Sequence, residues 1–209
     1  KELKARTENK EFFIRELFWR EFYNYILYHF PKSEDENLNK IIVNWNDDET
    51  VFQKWCDGNT GVPIIDAAMR YFNDTGTMHN RLRMIVSSYL TKNLLLDWKK
   101  GEQYFASKLL DYEASSNIGS WQWAASTGAD SVPYFRIFNP YLQSAKFDKE
   151  AVFIKSVIPE LKDVNTKLIH SENGVQSNIF LDYPTQIVSI DFSRKRAIEE
   201  FKRANNERD

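Results

Sequence analysis

The stretch MHNRLRMIVSSYLTKNLLLDW, residues 78–98, decides the fold. It holds no Gly or Pro and carries Leu82, Ile85, Val86, Tyr89, Leu90, Leu94 and Leu95, so its spacing predicts one buried central helix. Such a helix must be enclosed by others, and the flanking sequence supplies them. Residues 11–30 repeat apolar and aromatic side chains at helical spacing, a long helix closed by Pro31 and the acidic residues 33–37. Pro63, after Thr60-Gly61, opens a helix that reaches about Asp74 and ends at Gly76. Gly101 starts a helix to about Leu110, Asn139-Pro140 punctuates, and residues 147–158 and 193–205 read as further helices. Residues 32–50 read as a loop with a short helix, anchored by Leu38, Ile41, Ile42 and Trp45, and residues 171–178 as a polar loop. Seven Gly and six Pro leave room for few tight turns, whereas 15 Phe, 10 Tyr and 6 Trp suit helix-on-helix packing. The fold class is all-α, one unit over residues 1–209.

Composition excludes several classes. With 28 basic against 30 acidic residues the surface is not generally basic, so any nucleic-acid contact must be local. Cys56 is the only cysteine, which rules out an intramolecular disulfide or a cysteine-built metal site and fits a reducing cytoplasm. His79 has no second His or Cys at ligand spacing, so no metal is expected. No apolar run approaches the ~20 residues that span a bilayer, and residues 1–10 lack a secretory apolar segment. A soluble chain without a membrane partner, monomeric and cytoplasmic, is expected.

Three constellations carry chemistry. Glu16, Trp19, Arg20 and Tyr23 share one face of the first long helix, opposite Phe18, Phe22, Tyr25 and Ile26. They read either as a Glu16–Arg20 surface ion pair beside a core Trp19 or as a stripe facing something specific. Asn80, Arg83 and Met84 share a face from which Arg81 diverges, and a buried arginine there needs a carboxylate such as Asp111 or Glu113. Around Asn117, small residues at 114–116 and 124–126 flank Trp121 and Trp123, which suits tight helix packing or the walls of a flat aromatic ligand.

Taken together, Glu16–Tyr23, Gly61–Arg70, Met78–Met84 and Trp121–Pro140, with Leu181–Pro184 behind them, resemble the signature blocks of the photolyase and cryptochrome family. The likeness runs from about Phe13 and is nearest the class I cyclobutane pyrimidine dimer DNA photolyases. It implies a multi-helix FAD-binding domain in which light drives an electron from reduced FAD into a flipped-out lesion of damaged DNA. By motif, Asn117 resembles the residue beside flavin N5, favouring the reduced state. Asp111, held by Arg83, resembles the flavin-edge carboxylate, and Glu113 and Asn80 match further cofactor contacts. Glu16, Asn80 and Met84 match lesion-facing catalytic positions, Trp19 and Trp123 the walls around the lesion, and Arg20, Arg81 and Arg136 the DNA contacts. Trp121, Trp98 and Trp45 fall at the positions of the electron relay.

Thr77, Glu113 and Ile118 depart from the family pattern, where Trp, Asp and Asn are usual, and bear on flavin affinity and redox tuning. The N-terminal α/β domain that carries an antenna chromophore and the helices whose loop binds the FAD diphosphate are absent. The chain is therefore expected to be a C-terminal fragment that holds FAD weakly or not at all. The rivals are a cryptochrome-type blue-light photoreceptor, a (6-4) photolyase and, for the fragment alone, a non-catalytic helical interaction module. Asn80 and Met84 stand where (6-4) repair usually needs His, and His79 points about 100° away from Asn80.

Overall fold

The computed structural model describes residues 2–178 and 180–207, with side chains from Lys10 onward. Among these residues the only β-pairing is an isolated parallel bridge between Asn46 and Leu96, and the architecture is all-α as expected. Helix α1 (Glu2–His29) begins nine residues before its expected start and ends ahead of a 3-10 turn at Pro31–Glu34. Helix α2 (Glu49–Cys56) was not foreseen; Asp48 caps it by accepting from the Val51 amide at 3.1 Å. Helix α3 (Pro63–Thr75) runs from its expected Pro to Gly76, whose φ of 65° closes it in the left-handed conformation.

The central stretch is buried, yet it is not one helix. Helix α4 (Asn80–Ser88) passes into a π-turn at Tyr89–Asn93, and the chain then leaves the helix, with Leu95 at φ 56°. Asp97 accepts from the Lys99 amide at 3.1 Å and caps helix α5 (Trp98–Lys108), which starts three residues before Gly101. Apolar side chains continue through the break because the π-turn is packed against α5, helix α6 (Ala114–Ala125) and helix α10 (Ile190–Asn206). The same device divides the helix expected over residues 147–158. Helix α7 (Pro140–Phe147), capped by Asn139, stops at Asp148, whose carboxylate accepts from the Phe153 and Ile154 amides and starts helix α8 (Val152–Val157). Helix α9 (Thr166–Ile169) is a single turn before the last loop. In the loop before α2, Ile41 and Val43 are the buried anchors, whereas Ile42 is 76% exposed and anchors nothing.

Two buried polar groups fix the frame. Asp66 on α3 accepts from the Thr60 amide and hydroxyl, the Gly61 amide and the Tyr183 hydroxyl, which holds the segment after α9 against α3; burial pushes its carboxyl above the ordinary range. Lys92 in the π-turn donates to the Ala125 carbonyl at 3.0 Å and the Ser126 hydroxyl at 2.8 Å, and its Nζ lies 3.3 Å from the centre of the Phe201 ring. Burial pushes its ammonium well below the usual value, while its place at the C-terminal end of α6 favours positive charge. Among the described residues no helix is long and apolar enough to cross a membrane.

Candidate functional site

Helices α1, α4, α5 and α6 enclose a cleft of about 510 Å³. The crossing of α1 over α6 sets its width. A Cβ on Gly119 would stand 2.1 Å from the Tyr23 ring, so only Gly lets the helices approach this closely. From α1 come Glu16, Trp19 and Tyr23; from α4, Asn80, Arg83 and Met84; from α6 and the residues before it, Asp111, Glu113, Asn117, Trp121 and Trp123. The faces read from helical periodicity therefore converge on one space.

Trp19 and Tyr23 stack with ring centres 6.1 Å apart, and burial pushes the Tyr23 phenol upward. Arg83 donates to both carboxylate oxygens of Asp111 at 2.9 Å and to the Met78 carbonyl at 2.8 Å. Asn117 is directed by a residue the sequence did not single out, Glu102 on α5. Asn117 Nδ2 donates to the Glu102 carbonyl at 3.2 Å and to Oε1 at 3.0 Å. Burial raises the Glu102 carboxyl above its usual range, against the hydrogen bonds from Asn117 and Tyr112. With both amide protons so engaged, Asn117 Oδ1 remains as an acceptor. Glu113 lines the cleft, but its carboxylate accepts from the Ser115 and Ser116 amides as the cap of α6. Against the cost of burial, hydrogen bonds from Ser116 and Ser115 hold that carboxyl below the ordinary range.

Five expected site residues lie elsewhere. Arg20 points away from the cleft and pairs with Glu21 at 3.3 Å rather than with Glu16. Arg81 faces a neighbouring groove with His79, its guanidinium 4.5 Å from the Phe147 ring centre. Arg136 is exposed on the loop after α6. Trp98 is fully buried, its indole N–H donating to Asn37 at 2.8 Å, and Trp45 packs edge-on against Phe201 at 5.9 Å. The Trp121 ring lies within 2.2 Å of where a Cβ on Gly101 would stand, one turn along α5 from Trp98. The Asn46–Leu96 bridge draws the Trp45 segment beside the chain leading into Trp98. Trp55, on the unforeseen α2, is also buried, with its ring 6.1 Å from Trp121. Of the departures, Ile118 is a core residue and Thr77 lines the neighbouring groove. No cluster of three or more metal-ligating side chains occurs among the described residues.

Residues 13–203 match the family model described as the FAD binding domain of DNA photolyase. A deoxyribodipyrimidine photo-lyase of Buchnera aphidicola from Acyrthosiphon pisum is 50% identical over 194 residues, which is 90% of this chain and 40% of that protein. The Escherichia coli protein of the same name is 45% identical over 91% of this chain and 42% of its own length. Among solved structures, a class III photolyase from Agrobacterium tumefaciens superposes with a TM-score of 0.86 at 42% identity, covering 93% of this chain and 42% of its own. A Synechocystis cryptochrome superposes with a TM-score of 0.82 at 33% identity, over 91% of this chain and 41% of its own. The chain thus spans about two fifths of the length of these relatives.

Proposed function

Because the chain belongs to the family of photolyase FAD-binding domains, we propose that it is the C-terminal part of such a domain and forms the flavin- and lesion-facing walls of a DNA photolyase that repairs cyclobutane pyrimidine dimers. The convergence of Glu16, Asn80 and Met84 with Asn117 and the Arg83–Asp111 pair in one cleft carries this reading. The donor set suits a flat, hydrogen-bonding ring: Ser116 and Ser120 leave space, Trp121 gives an aromatic wall, and Asn117 offers a fixed acceptor. Reduced FAD in this cleft would supply the light-excited electron that splits the dimer. Asn117 Oδ1 would accept from an N–H at the edge of the flavin ring, and Arg83 holds Asp111 at the cleft rim. Glu16 hydrogen-bonds the pyrimidines, while Trp19 and Trp123 exclude water around a base drawn out of the helix. Arg81 and Arg136, both outside the cleft, are read as contacts to the DNA backbone, and Arg20 as a further DNA contact.

Asn80 and Met84 in the cleft, with His79 turned into the neighbouring groove, favour dimer repair over repair of (6-4) products. The parent protein is taken as a cytoplasmic monomer whose antenna chromophore binds a separate N-terminal domain. The test is the longer protein containing this chain, given a dimer-bearing oligonucleotide under blue light. Light-dependent loss of dimers is expected. Intact dimers alongside ordinary flavin photoreduction would instead assign the chain to a cryptochrome-type photoreceptor.

A further inference from the structure

Helices α2, α5 and α7 are capped by groups that go on accepting hydrogen bonds from neutral pH into mild acid, the carboxylates of Asp48 and Asp97 and the amide of Asn139. Helix α4 is different. Its cap is His79, whose ring Nδ1 accepts from the Arg81 amide at 3.1 Å. Histidine is not a favoured capping residue, and His79 is the only imidazole among the described caps. An imidazole nitrogen accepts only while it carries no proton, so the contact fixes the neutral ring as its Nε2–H tautomer. A second proton turns Nδ1 into a donor that opposes the Arg81 N–H, and it adds positive charge at the positive end of α4.

No neighbouring charge takes over the contact. His79 faces the groove beside the cleft with Arg81 and Arg83 of α4, Tyr71 of α3, Asp111 and Asp148, and Lys146 of α7 lies near its Phe147 wall. Asp111 is held by Arg83 and Asp148 caps α8. Among the described residues neither acid forms an ion pair with His79.

The cap stands next to Asn80, which lines the cleft. On the other side of His79, Arg83 Nε donates to the Met78 carbonyl at 2.8 Å while the same guanidinium holds both oxygens of Asp111. The chain therefore enters α4 under two restraints, Met78 tied to the Arg83–Asp111 pair and His79 tied to Arg81. Asn80, the first residue of the helix, lies between them.

We infer that His79 is a positioning residue for the lesion site: by capping α4 through Nδ1 it fixes Asn80 in the cleft, and protonation of the ring releases that hold and weakens dimer binding in acid. The inference rests on the lesion-binding reading of the cleft.

The test uses the longer flavin-loaded protein containing this chain, kept in the dark, and a single-stranded octamer with a central pyrimidine dimer. Binding is followed by fluorescence anisotropy between about pH 8 and about pH 5, the span in which histidine ordinarily titrates. His79→Asn keeps a capping acceptor that does not titrate, and His79→Ala removes the cap. The side chain is exposed, so both variants should fold, as circular dichroism would check. At the upper pH, wild type and His79→Asn should bind alike and His79→Ala about fivefold more weakly, the worth of one cap. At the lower pH, wild type should fall to the level of His79→Ala, both about fivefold below His79→Asn. Ratios to His79→Asn cancel the titration of other groups. Nitrogen-15 spectra of protein labelled at histidine and arginine give a readout independent of DNA, with the His79 signals identified by their loss in His79→Asn. They should show a bare Nδ1 at the upper pH and an Arg81 amide that moves as the ring titrates. Affinity ratios that stay constant with pH, or a neutral His79 with its proton on Nδ1, would overturn the positioning role and leave the cleft reading intact. Equal binding of damaged and undamaged octamers by wild type would overturn the cleft reading and this inference with it.

Discussion

Asn117 hands both protons of its amide to Glu102, and that pair shows what single residues contribute to the site. Burial raises the Glu102 carboxyl, so the ionised form is the less favourable one in the folded chain. Its stabilising contribution is complete below the ordinary carboxylate range and lost as pH rises through the raised folded value. Glu102→Gln keeps an acceptor for Asn117 and removes the charge, so its melting temperature should gain on that of wild type as pH rises from the ordinary carboxylate range to neutral. Parallel melting curves across that range would show that Glu102 ionises freely. Trp121 allows a second prediction. In the longer flavin-loaded protein, Trp121→Phe should slow photoreduction by at least an order of magnitude yet leave repair by chemically reduced enzyme nearly unchanged. Loss of repair from the reduced state would end the assignment of Trp121 as an electron relay. Asn117 and Trp121 were legible because they stand in sequence blocks with family spacing. Glu102 was not, since it acts through a contact 15 residues away, and Trp55 was missed together with the helix that carries it.

At the scale of elements, periodicity located the helices and capping decided where they break. The apolar run over residues 78–98 gives no hint of the π-turn, because a segment enclosed on all sides stays apolar whatever its backbone does. Asp97 and Asp148, each followed by amides it can accept from, were the sequence signals for the two breaks. The Glu113 cap makes the same physics testable. Glu113→Ala should cost about 1 kcal/mol at neutral pH through the loss of the α6 cap. The wild-type carboxyl is held low by Ser116 and Ser115 against burial, so its contribution is present above the ordinary carboxylate range and disappears as pH falls through the folded value. The stability difference should therefore close in acid, in the opposite sense to that of Glu102. A constant difference in urea denaturation from neutral to acid pH would assign the cap to something other than the ionised carboxylate. Gly119 tests the crossing itself. Gly119→Ala places a methyl about where the Tyr23 ring now lies, so a loss of about 1–3 kcal/mol from overpacking is expected, with greater exposure of Tyr23. A variant as stable as wild type, with Tyr23 fluorescence unchanged, would show that α1 moves aside freely.

For the whole molecule, the sequence disclosed the all-α class and the paired cleft walls, whereas the distribution of charge emerged only from the fold. A net charge of -2 says nothing about where the charges lie. Arg83 is the one cationic side chain lining the cleft among the described residues, and Asp111 holds it, while Glu16, Asp111 and Glu113 bring three carboxyls. The cleft is therefore acidic on balance, although the family cofactor is a diphosphate. A flavin ring held here would find partners, whereas its phosphates would meet repulsion and no free cation in the cleft lining. This leads to a ranking that can be measured. The chain by itself should bind riboflavin at least as tightly as FAD in titrations of flavin fluorescence. Added salt should strengthen FAD binding, because screening weakens the repulsion, and should leave riboflavin nearly unaffected. FAD that co-purifies stoichiometrically, or binds more than about tenfold (1.4 kcal/mol) tighter than riboflavin at low salt, would mean that this chain provides its own phosphate site. The expected ranking assigns that task to residues beyond those lining the cleft, in agreement with a chain that spans two fifths of its relatives.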